Sequence, residues 1–327
     1  NLLSVKSDEE AVFNKFKSVV KVAKENDMTV IADINHKVFE ALNLKRDDLS
    51  FFKTLGVSGI RVDAGFSAQE IAQLSYNKQN MYVELNISVS DTFIEDVLSY
   101  QPNLDKLVGC HNFYPQTYTG LSYQHFVNTS EAYKRNNVHT ADFVTSQEAT
   151  VGPWMIMEGL PTLESHRNLP IAVQVKHLLM TNLVDDFIIG NAFASESELQ
   201  SLSEINLAMP SFDVYLNNEI TELDETIVTE EFHFNRGDIS DYVIRSTMSR
   251  VHYKDEPFPP HNTVQIKKGD IVICNELYGH YKGEMQIALQ DMENQGYKNV
   301  IGHVKKEEHF LLNLLKPWQS FELKVTS

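Results

Sequence analysis

Cysteine is scarce in this chain: 327 residues hold two, Cys110 and Cys274. Two such residues make neither a disulfide framework nor a zinc spacing, which fits a reducing compartment. No apolar run approaches the ~20 residues that cross a bilayer. The twelve histidines contain no His-Glu-x-x-His or His-x-His pattern, so neither a catalytic zinc nor any other metal or cofactor is expected. A Gly-x-Ser-x-Gly elbow and a phosphate-loop motif are also missing. The chain shows no internal repeat and no low-complexity tract, and no signal peptide is expected. Positive charge is short as well: 28 Lys and Arg stand against 45 Asp and Glu, a formal net charge of -17. That balance argues against general nucleic-acid or anionic-membrane binding, while leaving room for a local site that takes an anionic substrate. The first residue is Asn1 rather than methionine, so either the N-terminus was processed or residues upstream precede this numbering.

What the chain does have is a series of short apolar runs, each ending in a polar cluster. They are VIADIN (30–35), GIRVDAGFS (59–67), MYVELNIS (81–88), LVGCHNFYP (107–115), TADFVTSQEAT (140–150) and DDFIIGNAFAS (185–195). Amphipathic helical segments lie between them. Continuous apolar strands alternating with helices predict a parallel α/β sheet or barrel. With a strand end over residues 1–5, followed by a Ser7/Glu10 capping box, the count reaches seven β positions. A closed (β/α)8 TIM-type barrel has eight, so the first βα unit is expected to lie before Asn1. The stretch 148–170 is too rich in Gly and Pro for a helix and predicts an ordered loop over the rim.

Such barrels keep their chemistry at the carboxyl ends of the strands. Asp63, Glu84 and Glu148 are the candidate catalytic carboxylates there, with Asp33 on the same rim. Side chains alternate along a strand, so Arg61 shares a face with Asp63, and Glu84 with Asn86. Glycoside hydrolysis needs two carboxyl groups, one donating a proton and one acting as nucleophile or base. Alternatively, Arg61 and Asp63 form a structural ion pair and Glu84 orients its neighbours. The run His111, Asn112, Phe113, Tyr114 puts an imidazole, an amide, an aromatic ring and a phenol at one strand end, a mixture suited to sugars, or else a hydrogen-bonded loop packed on the barrel top. Gly190 and Asn191 precede a helix start, where backbone amides can hold an anion, or they form an ordinary turn. No strand ends in the Schiff-base lysine of a pyridoxal-phosphate racemase. Lys37 comes closest, and an upstream strand is not visible.

After about residue 208 alternating runs with glycine punctuation predict a small antiparallel β domain. They are EFHFN (231–235), YVIRSTMSR (242–250), TVQIK (263–267), DIVICN (270–275), EMQIALQ (284–290) and SFELKV (320–325). The expected organisation is a barrel over 1–207 and a β domain over 208–327. Arg245, in YVIRST, is a candidate ligand for a phosphate, unless it pairs with an acid of its own domain.

The strings GCHNFYPQTYTGLS, FVTSQEATVGPW, EGLPTLESHRNLP, DDFIIGNAFAS and GDIVICNELYGHYKGEMQIA resemble the MupG family of bacterial 6-phospho-N-acetylmuramidases, over essentially the whole chain. The resemblance implies a TIM-type barrel lacking its first βα unit here, followed by a cyclophilin-like β-barrel. It implies hydrolysis of a phosphorylated amino-sugar disaccharide, 6-phospho-N-acetylmuramic acid linked to N-acetylglucosamine, during cell-wall recycling in the cytoplasm. It supplies no catalytic pair, so the three carboxylates above rest on strand-end position. Competing readings are a lyase or racemase acting on a sugar phosphate at the same rim, and a non-enzymatic surface or binding protein.

Overall fold

The computed structural model describes residues 9–34, 39–40, 44–62, 65–153, 155–156 and 158–326. The strand expected over 1–5, the Ser7 cap, Lys37 and Asp63 lie outside the described residues. The chain divides into two compact units, one of residues 1–168 and 183–194, the other of residues 169–182 and 195–327.

The first unit is built on six parallel strands in sequence order: β1 (Ile31–Ile34), β2 (Gly59–Val62), β3 (Tyr82–Asn86), β4 (Leu107–Cys110), β5 (His139–Val144) and β6 (Asp186–Ile189). Helices α1 (Glu9–Glu25), α2 (Ser50–Leu55), α3 (Ala68–Leu74), α4 (Phe93–Ser99) and α5 (Tyr123–Lys134) come between strands or before the first. Among the described residues this is a parallel half-barrel of TIM type, with β1 and β6 at its two edges. Helix starts follow local chemistry. Ser67 and Glu70 close a capping box on α3, satisfying two amides that the helix itself cannot pair. Gly56, at φ 93°, ends α2 in the left-handed conformation and donates to the carbonyls of Lys53 and Phe52. The core sits between sheet and helices, around the fully buried Ile34, Phe52, Ile60, Val83 and Ile94.

The second unit holds α6 (Ile171–Thr181), α7 (Glu196–Ser203), α8 (Glu222–Glu230), α9 (Ser249–His252) and seven strands. The strands are β7 (Ser211–Leu216), β8 (His233–Phe234), β9 (Val243–Ser246), β10 (Asp270–Cys274), β11 (Met285–Ala288), β12 (Lys298–Val304) and β13 (Ser320–Val325). Their order is β8-β13-β7-β12-β10-β11-β9, antiparallel except for β13 against β7. The Arg236 amide donates to the Arg245 carbonyl at 3.0 Å, linking the chain after β8 to β9 and nearly closing a barrel. Two of its central strands, β7 and β12, are absent from the sequence reading. TVQIK forms only an isolated bridge, Ile266 to Met292, and the end of YVIRSTMSR turns into α9.

Candidate active site

Register assembles the site. Across β1, β2 and β3, Asp33 lies opposite Arg61 and Arg61 opposite Glu84. Aligned residues of parallel strands share a face, so a carboxylate, a guanidinium and a second carboxylate stand in one row. They line a cleft of ≈ 810 Å³ together with Cys110, Asn112 and Phe143.

Arg61 is the hub. Its Nη1 donates to Glu84 Oε1 and to the Cys110 carbonyl, both at 3.0 Å, and its Nη2 donates to Asn112 Oδ1 at 2.7 Å. Arg61 and Glu84 are each 8% exposed. Burial pushes the Glu84 carboxyl above the ordinary carboxylate range, against the pull of Arg61. Burial also works against the charge of Arg61, but Cys110 and Glu84 more than offset it and hold the guanidinium above its usual value. Asp33 is exposed and adds a second negative field to the row.

The strand-end cluster after β4 is held from behind. His111 is fully buried, its Nδ1 3.1 Å from Ser88 Oγ and its Nε2 2.9 Å from Ser130 Oγ. Burial depresses its pKa to about 3, so the ring is neutral at ordinary pH and both nitrogens are occupied. Ser88 Oγ also accepts from the Asn112 amide at 2.8 Å. That contact aims Asn112 at Arg61. Asn86 Oδ1 accepts from the Ser88 amide at 3.0 Å and so fixes the same turn. Tyr114 is half-buried, and burial raises its phenol above the ordinary range despite hydrogen bonds with Ser88 and Asn112.

The remaining candidates fall elsewhere. Glu148 is exposed beyond β5, its amide donating to Ser146 Oγ at 3.2 Å. Asn191 is buried and ties β5 to β6: its Oδ1 accepts from Thr145 Oγ1 at 3.1 Å and from the Ser146 amide at 2.9 Å. The Gly190 amide donates to the Val144 carbonyl and the Ala192 amide to the Val151 carbonyl, both at 2.9 Å. These two amides are therefore engaged within the fold. Arg245 lies in the second unit, with Nε 2.8 Å and Nη2 3.0 Å from the two oxygens of Glu284, which is the in-domain pairing considered as its alternative.

Two residues that the sequence did not single out shape the rim. Arg167 is 5% exposed and donates to the carbonyls of Tyr114, Gln116 and Glu158 while pairing with Glu164 at 2.7 Å. One guanidinium thus fastens the loop after β4 to the loop before α6, and hydrogen bonds from Arg167 help pull Glu164 down to a pKa of about 2. Asp142, fully buried in β5, has its carboxyl pushed up to about 7 by burial. Nothing in TADFV signals that state except an acid inside an apolar run. Among the described residues no group of three or more His, Cys, Asp and Glu is placed to hold a metal ion.

Two family models match the chain. One, described as 6-phospho-N-acetylmuramidase, N-terminal, matches residues 1–204, and the other, described as 6-phospho-N-acetylmuramidase, C-terminal, matches residues 210–324. Among solved structures, that of an uncharacterized B. cereus protein is 44% identical, with a TM-score of 0.90 over 95% of this chain and 88% of its own. A conserved protein from a locus in Enterococcus faecalis, of unknown function, is 25% identical, with a TM-score of 0.72 over 96% of this chain and 85% of its own. No curated protein matches.

Proposed function

The chain belongs to the 6-phospho-N-acetylmuramidase family of glycosidases, and from that premise we propose that it releases N-acetylglucosamine from 6-phospho-N-acetylmuramic acid linked to it. The setting is cell-wall recycling in the cytoplasm. No helix among the described residues is long and apolar enough to cross a membrane.

The observation that carries the site assignment is the buried Arg61–Glu84 pair in an open cleft. A proton donor at neutral pH needs a carboxyl held above its usual range, and burial does that to Glu84. Once the proton moves to the glycosidic oxygen, the new carboxylate faces Arg61 at 3.0 Å, which favours the transfer. The C–O bond breaks as the proton arrives. A second carboxylate, for which Asp63 and Glu148 are candidates by strand-end position in the sequence alone, would meet the anomeric carbon directly or through water, and Asp33 adds negative charge to the row. Asn112 and Tyr114 supply an amide and a phenol for sugar hydroxyls, with His111, Asn86 and Asn191 holding the rim that presents them.

The test is incubation with the 6-phosphorylated disaccharide, with free N-acetylglucosamine followed by chromatography. Release is expected from the wild type and a loss of about 100- to 10,000-fold from Glu84→Gln. No release by the wild type would reject the reading, and full release by Glu84→Gln would remove Glu84 from it.

A further inference from the structure

The second unit carries a basic groove on a chain whose net charge is -17. The groove, ≈ 570 Å³, is lined by Arg236, Arg250, Val251, Lys254, His280 and Tyr281. Beneath it Glu284, 0% exposed, is saturated. It takes Arg245 Nε at 2.8 Å and Nη2 at 3.0 Å, Arg250 Nη1 at 3.1 Å, and Gln286 Nε2 at 2.7 Å. A buried carboxylate is costly unless its partners stay in place, so Glu284 fixes both guanidiniums against the barrel. Both guanidiniums also lie over the Tyr281 ring, Arg245 at 5.9 Å and Arg250 at 5.6 Å from its centroid.

Charge in this cluster does not balance. Among the described residues Arg236, Arg245 and Arg250 pair with two carboxylates, Glu284 and Asp238, and Lys254 with none. Asp238 is 59% exposed, where ion pairs hold weakly. Lys254 makes no ion pair among the described residues, and it is exposed. Backbone conformation points the same way. The segment Glu276–Tyr281 kinks at Gly279, with φ 61° and ψ -114°, a conformation that only glycine takes easily. A Cβ there would meet nothing within 4 Å, so the glycine serves the kink rather than a close contact. The kink is what delivers His280 and Tyr281 to the groove.

We propose that this groove is a binding site for a sugar phosphomonoester, lying wholly within the β-rich unit. Fork-shaped guanidiniums and an ammonium match the phosphate oxygens. The exposed ring of Tyr281 offers an apolar face to the sugar. The proposal stands without the hydrolytic reading.

Calorimetric titration of the full chain in phosphate-free buffer tests it, with N-acetylglucosamine 6-phosphate, N-acetylglucosamine and inorganic phosphate as probes. The sugar phosphate is expected to bind more tightly than inorganic phosphate, and the neutral sugar not measurably. Arg250→Ala and Lys254→Ala should each weaken the sugar phosphate by about tenfold. Lys254→Ala leaves Glu284 and both of its arginines in place, so its effect cannot come from misfolding of the buried pair. Wild-type affinity in both variants overturns the proposal, as does absence of binding by the wild type. Equal affinity for inorganic phosphate overturns it in favour of a bare anion site. Hydrolysis is assayed on the same samples, so a chain that binds without turnover separates this claim from the glycosidase reading.

Discussion

Burial sets Asp142 and His111 against each other. Asp142 Oδ1 accepts from the Phe143 amide at 2.7 Å, Oδ2 is unpartnered among the described residues, and burial pushes the folded carboxyl up to about 7 from 3.8. Between those values the folded chain holds a proton that the unfolded chain has lost, so stability falls as pH rises, by about 1.4 kcal/mol per unit. His111 does the reverse. Its folded pKa is about 3 against 6.5, so between those values the unfolded chain holds the extra proton and stability rises with pH. The slopes oppose over the shared window. Asp142→Asn should unmask the histidine, making the variant lose stability on acidification from pH 6 to 4 more steeply than the wild type. Urea unfolding at the two pH values checks this, and parallel losses would contradict it. Neither state was legible in the sequence, because a desolvated acid and a solvated one look alike until the packing around them is known. Arg61 and Glu84 were legible as polar residues on apolar strands. That they pair across neighbouring strands was not, since that depends on register.

At the level of elements, β6 is held to its neighbours by closeness as well as by the Asn191 clasp. A Cβ on Gly190 would lie 2.8 Å from both the Leu160 Cβ and its carbonyl oxygen. Gly190→Ala should therefore push the strand end off the 158–167 loop and destabilise the protein by about 1–3 kcal/mol. Asn191→Ala, which leaves the Ser146 amide without its acceptor, should cost a similar amount. Thermal unfolding of both variants measures it, and an unchanged midpoint for either would show that the strand ends do not depend on that contact. The parallel strands were readable because each is a compact apolar run between helices. In the second unit β7 gives little signal because its run, SFDVYL, follows directly on Met209-Pro210, which reads as a linker. KNVIGHV of β12 does not read as a strand because Lys, Asn, Gly and His interrupt it, although Val300, Ile301 and Val304 all enter the core. TVQIK alternates like a strand, yet it offers only Ile266 to the interior and pairs at that residue alone.

Across the whole molecule, charge and chemistry pull in different directions. A formal charge of -17 repels a phosphorylated substrate at a distance, whatever the local contacts do on arrival. Screening shortens that repulsion to ~8 Å at physiological ionic strength. kcat/KM for the phosphorylated disaccharide should therefore rise as salt goes from about 10 to 150 mM, and a steep fall would mean that a positive field steers the substrate. The order at this scale, a parallel α/β unit followed by an antiparallel β unit, followed from patterning, whereas the barrel form of the second unit was implied only by the family resemblance. The activity did not. It needed long matching strings such as GCHNFYPQTYTGLS, because barrel rims of similar composition serve many reactions.

The central claim is that Glu84, raised by burial and backed by Arg61, delivers the proton to the leaving sugar. The most direct measurement compares Glu84→Gln with wild type on two substrates carrying the same 6-phosphorylated muramyl group. One has N-acetylglucosamine as leaving group, which needs a proton, and the other has 4-nitrophenolate, which does not. The account predicts a loss of about 100-fold or more on the disaccharide and little loss of bond cleavage on the aryl glycoside. Equal losses on both would contradict it.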